Sequence, residues 1–122
     1  MNTANEHTDA NIRFTDEVIA ICAVNATLRT EGVANVAGGF SNALSKNILG
    51  KELHSKGVKV SRSEDGAEID VHIIVKYNAK IPAVAWDVQE SVKNEVQTMT
   101  EIPVLAVNIH VQGVEIPSEE AK

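Results

Sequence analysis

Asp70, His72 and His110 are the residues whose types could support acid–base or metal chemistry. Asp70 and His72 are two apart and so share one face of any extended segment, and His110 stands on the outward face of a second alternating segment. If those segments are neighbours, two imidazoles and a carboxylate meet, a donor set that divalent transition metals accept. No motif of fixed ligand spacing accompanies them, and alternating polar residues are the ordinary pattern of a half-exposed sheet. The residues therefore predict no metal site and no cofactor.

Cys22 is the single cysteine and the other candidate nucleophile. Val18, Ile21, Cys22 and Leu28 recur at helical spacing, which places the thiol on a buried stripe, away from the exposed, electropositive setting a reactive cysteine needs. Gly38-Gly39 suggests a phosphate loop, but neither Gly-x-Gly-x-x-Gly nor Gly-x-x-x-x-Gly-Lys-Ser/Thr occurs, and Gly50-Lys51 is followed by Glu52. No catalytic residues are assigned.

Charge supplies a different kind of candidate. The chain is acidic, with a formal net charge of −6 over 122 residues, which disfavours general nucleic-acid binding because such proteins draw most of their affinity from phosphate neutralisation. Yet five of the 11 basic residues, Lys46, Lys51, Lys56, Lys59 and Arg62, fall in a stretch where Glu52 is the only acid. Together with Gly38 and Gly39 they form the candidate partner-binding surface. The alternative to a protein partner there is RNA or anionic lipid; a Gly-x-x-Gly clamp of the KH type is absent.

These residues need elements to position them. Thr15-Asp16-Glu17 combines a capping hydroxyl with two acids for the positive first turn, and predicts a helix that Glu31-Gly32 stops near Thr30. Ile12 and Phe14 alternate before it like a short strand. Val33 to Ala37 predicts a brief strand, and Phe40 to Lys56 has no clean period. Val58-Lys59-Val60, the Asp-Gly turn in Ser63 to Gly66, and Ile69, Val71, Ile73, Val75 and Tyr77 predict a β-hairpin with Glu68, Asp70, His72 and Lys76 outward. Pro82 starts a second helix whose stripe is Val84, Val88, Val92, Val96 and Met99. After Pro103 a last strand turns Leu105, Val107, Ile109 and Val111 inward and Ala106, Asn108, His110 and Gln112 outward.

The fold class is thus α+β: a small, mainly antiparallel sheet with two main helices packed on one face. Residues 1–10 and 115–122 read as polar tails around one domain, 11–114. Its core is aliphatic, with Phe14, Phe40, Tyr77 and Trp86 as the few large pieces. The apolar runs are far shorter than the roughly 20 residues that span a bilayer. A lone cysteine and no secretory leader pattern imply a reducing, cytoplasmic setting.

The order and spacing of several segments resemble the alkaline shock protein family, the small envelope stress response domain of Gram-positive bacteria. They are Thr15-Asp16-Glu17-Val18-Ile19, Glu31-Gly32-Val33 leading to Gly38-Gly39, Gly57-Val58-Lys59-Val60, Ile69-Asp70-Val71, Ile81-Pro82, Gln89, Met99-Thr100 and Val107 to Val114. Asn78 and Glu101 stand where the family usually has glycine; if that helix end needs a left-handed residue, either Glu101 carries a strain of roughly 1 kcal/mol or the cap shifts by a residue. The resemblance implies a non-enzymatic scaffold or adaptor without a small-molecule substrate, self-associating and held at the inner face of the membrane by an integral membrane anchor. It offers no catalytic residue to carry over. Strand edges able to accept another chain, and the loop from Gly38 to Lys59, are the expected contact surfaces.

Overall fold

The structure, a computed structural model, describes residues 14–38 and 57–117. Helix α1 (Asp16–Leu28) starts where Thr15 caps it: the Thr15 hydroxyl accepts the Val18 N–H at 3.2 Å. Its buried side is Ile19, Ala20, Cys22, Ala23, Ala26 and Thr27, while Val18 and Leu28 are exposed. The expected stripe is therefore rotated. Apolar residues surround this helix, so periodicity alone does not choose a face, and the face made of small alanines is the one that seats most closely on its neighbours. Thr27 and Thr30 are buried there because each hydroxyl donates to the carbonyl four residues back, at 2.7 and 2.9 Å.

Strands β1 (Val33–Val36) and β2 (Val58–Ser63) both pair antiparallel with β3 (Gly66–Lys76). β2 takes Gly66 to Val71 and β1 takes Ile73 to Val75, so the two lie end to end along one edge of β3. His72 marks the joint: its carbonyl accepts from Ala37 and its N–H donates to Gly57. Gly57 has φ +91°, and a Cβ there would meet the Ala37 carbonyl at 2.4 Å, so glycine is required where the chain re-enters the sheet. The hairpin forms where its chemistry predicts, but the turn is centred on Glu64-Asp65, and Gly66, with φ +151°, stands opposite Ser63 rather than in the central pair.

Helix α2 (Ile81–Thr100) buries Val84, Val88, Val92, Val96 and Thr100. Met99 is exposed instead: a stripe spaced every four residues drifts round the helix, and its next member after Val96 is Thr100. Glu101 caps the helix in the left-handed region (φ 63°, ψ 14°) and its N–H still donates to Gln97. Strand β4 (Val104–Glu115) then returns alongside the other edge of β3, parallel to it. The sheet has four strands, two pairings antiparallel and the longest one parallel, because α2 carries the chain back to the end where β3 began.

Side chains of α1 and α2 join Ile69, Val71, Ile73, Val75, Val104 and Val107 in one core, so both helices lie on the same face of the sheet. Phe14 is in neither strand nor helix, and Ile12 and Phe40 lie outside the described residues. Tyr77 and Trp86 are exposed, so the core among the described residues holds no aromatic ring and is aliphatic apart from Cys22. Leu105 is also exposed: the register shifts between Ala67 and Glu68, β4 carries one extra residue there, and Val104 takes the inward place.

Candidate functional site

The helices leave the second face of the sheet open, with β3 along its middle and β4 along one edge. Parallel register sets Glu68 beside Ala106, Asp70 beside Asn108 and His72 beside His110. Asn108 Nδ2 lies 2.8 Å from Glu68 Oε2 and 3.0 Å from Asp70 Oδ1, and His110 Nε2 lies 3.2 Å from the same Asp70 oxygen. The His72 and His110 rings stack at 4.5 Å between centroids with planes 16° apart. Hydrogen bonding by His110, then by Asn108, holds the Asp70 carboxyl below its ordinary value.

Asp70, His72 and His110 thus do come together, as neighbouring strands require. Their geometry is that of a surface network. Stacked imidazoles direct their ring lone pairs in parallel planes rather than toward one point, and among the described residues no three His, Cys, Asp or Glu side chains are arranged to hold a metal ion. No hydroxyl or thiol among the described residues hydrogen-bonds to the Asp70–His110 pair to act as a nucleophile. Cys22 is buried, and burial followed by the nearby Glu95 charge pushes its thiol pKa up, away from the reactive thiolate.

The basic stretch is only partly visible. Gly39, Lys46, Lys51 and Lys56 lie outside the described residues, and Gly38 sits in an exposed turn after β1 with φ +90°. Lys59 is opposite Asp70 and shares the open face, whereas Arg62 is opposite the buried Ala67 and turns toward the helices. There its guanidinium donates to the Phe14 carbonyl at 2.8 Å and to Asp16 at 3.1 Å, fastening β2 to the start of α1. The two described cations therefore sit on opposite faces and do not form one basic patch.

Two residues not singled out as site residues control the outer edge of β4. Gln97 Oε1 accepts the Val104 N–H at 2.9 Å, and Gln89 Nε2 donates to the Val107 carbonyl at 2.9 Å. Both glutamines reach from α2 to satisfy backbone groups on the side away from β3, and beyond Val107 no such cover exists among the described residues. Val111, Val114 and Ile116 continue along that edge with exposed apolar side chains. Only the position of β4 at the sheet margin reveals this, and strand order is not written in a local pattern.

A family model for the alkaline shock protein 23 family, described as having a cell envelope-related function, matches residues 4–116. The chain belongs to this family. It is 33% identical over 117 residues to YqhY of Bacillus subtilis, covering 93% of this chain and 86% of that protein. YloU of the same organism is 38% identical over 107 residues, 86% of this chain and 88% of its own. A Streptococcus pyogenes protein named stress response regulator gls24 homolog is 28% identical across 98% of this chain and 67% of its own. Among solved structures, a MamM CTD chain aligns with a TM-score of 0.52 at 15% identity, over 83% of this chain and all of that one, a likeness of fold. The family is one of envelope-related stress response, and among the described residues no helix is long and apolar enough to cross a membrane.

Proposed function

We propose that this protein is a non-enzymatic scaffold or adaptor in cell-envelope homeostasis, which associates with itself and docks to a membrane-anchored partner at the inner face of the membrane. The observation that carries this reading is the outer edge of β4. From Ile109 onward it offers backbone groups with no hydrogen-bond partner among the described residues, beside a row of exposed apolar side chains. An edge of this kind accepts an added strand from another chain. The envelope-related family and the stress-response name of the streptococcal relative support the cellular setting.

Two arms test it. Sedimentation from micromolar to millimolar concentration is expected to show concentration-dependent oligomers. Fractionation of cells is expected to find the protein with membranes, recovered together with an integral membrane protein after mild cross-linking. Monomers throughout, with no membrane-bound fraction, would refute the reading.

A further inference from the structure

The two edges of β4 are told apart by their hydrogen bonds. Tyr77 donates its N–H to the Glu115 carbonyl at 3.1 Å, so the backbone of Glu115 faces β3. The Val107 carbonyl faces the other way, where Gln89 meets it. Backbone groups of successive residues alternate between edges, so Ile109 and Val111 share the outer edge with Val107. The register shift between Ile73 and Ile74 gives β4 one extra residue, Gln112, after which Val114, and beyond it Ile116, occupy the outer edge. Register also fixes the faces. Ile109, Val111 and Val114 are opposite the inward residues Val71, Ile73 and Val75, whereas His110 and Glu115 are opposite His72 and Lys76 on the open face.

The segment Ile109-His110-Val111-Gln112-Gly113-Val114-Glu115-Ile116 therefore matches itself when reversed. From this we infer that two copies pair antiparallel along β4 about a two-fold axis between Gln112 and Gly113, a proposal that rests on the self-association reading above and names its surface. In this register Val111 meets the second copy's Val114, and Ile109 its Ile116, as the pairs that exchange backbone hydrogen bonds. Both pairs put apolar side chains together on the helix side. His110 meets Glu115 on the open face, opposite in charge when the imidazole is protonated. Each strand carries the same extra residue, so the irregularities face one another and the register is kept on both sides. A slip by one residue would bring inward valines against outward polar residues.

Burial and cover agree with these limits. Val111, Val114 and Ile116 are 38%, 43% and 64% exposed, high for an apolar row on the helix side of a sheet. Trp86, three residues before Gln89 and so about one turn from it along α2, is 61% exposed. Gln89 occupies the edge at Val107 and ends the pairing there. A two-fold contact of this type closes on itself, so it yields a dimer with one continuous eight-stranded sheet.

Mixing a His110→Cys variant with a Glu115→Cys variant under mild oxidation tests the register. The paired positions are non-hydrogen-bonded neighbours about 4.5 Å apart at Cα, within disulfide reach. Two copies of position 110 are roughly 17 Å apart at about 3.4 Å per residue, so either variant alone is expected to give no cross-link. Val111→Pro removes an outer-edge donor without touching the bonds to β3 and is expected to weaken dimerisation about tenfold or more. Glu115→Lys, which leaves the core intact, is expected to weaken it too. If the unmodified protein dimerises but the mixture cross-links no better than the separate variants and neither substitution weakens the dimer, this interface is wrong while self-association stands. If the protein is monomeric at every concentration, both fall.

Discussion

Replacing Glu101 by glycine should stabilise the fold, and the reason is confined to one backbone position. Glu101 ends α2 at φ 63°, ψ 14°, where its Cβ crowds the following carbonyl, and the geometry persists because the Glu101 N–H bonds Gln97 and the next strand begins at Val104. A left-handed non-glycine residue costs about 1–2 kcal/mol. Glycine removes that cost but adds freedom to the unfolded chain worth roughly 0.4–1 kcal/mol, which leaves a net gain of about 0.5–1 kcal/mol. For a domain of this size the gain raises Tm by about 2–4 °C. Glu101 also places an acid at the negative end of the helix, so Glu101→Gln serves as control: it relieves the charge and keeps the Cβ. Thermal and urea unfolding of both variants decide the matter. A glycine variant no more stable than the glutamine one would refute the strain argument.

Three further outcomes follow from the packing. Ile69→Ala, at a fully buried site in the central strand, should lose about 2–5 kcal/mol in urea unfolding. Thr15→Ala deletes the α1 cap and should cost about 1 kcal/mol, with Thr15→Ser near neutral. Asp70 has a folded-state pKa lowered by His110 and Asn108, so its stabilising contribution is present above its unfolded value and is lost as pH falls through the folded one. The stability difference between the protein and Asp70→Asn should therefore shrink on acidification below about pH 4, and a difference that grew instead would reverse the sign of the assignment.

The parts of this fold visible in sequence are those where one physical constraint acts alone. The Val84, Val88, Val92 and Val96 stripe is plain because only polar residues separate Val88, Val92 and Val96, and the turn residues Ser63 to Gly66 name the hairpin because Gly66 takes a positive φ that few other residues tolerate. Helix α1 is harder to orient: alanines, valines and isoleucines surround it, and its seating is decided by closeness of approach to strands distant in sequence. Met99, Leu105, Tyr77 and Trp86 mislead for a related reason. Their hydrophobicity argues for burial, whereas helix drift, an extra residue in β4, the end of β3 and a place off the α2 valine stripe, respectively, set them outside. Asp70, His72 and His110 read correctly as outward, but only the parallel return of β4 makes His110 a neighbour. The basic residues show the converse, since Lys59 and Arg62 are three apart in sequence and alternation sends them to opposite faces.

Self-association is tested most directly by sedimentation equilibrium of the 122-residue chain, without any substitution. A 13.1 kDa chain that pairs through β4 should show a weight-average mass rising with concentration and levelling at twice that value. A mass fixed at 13.1 kDa across the whole range would contradict it.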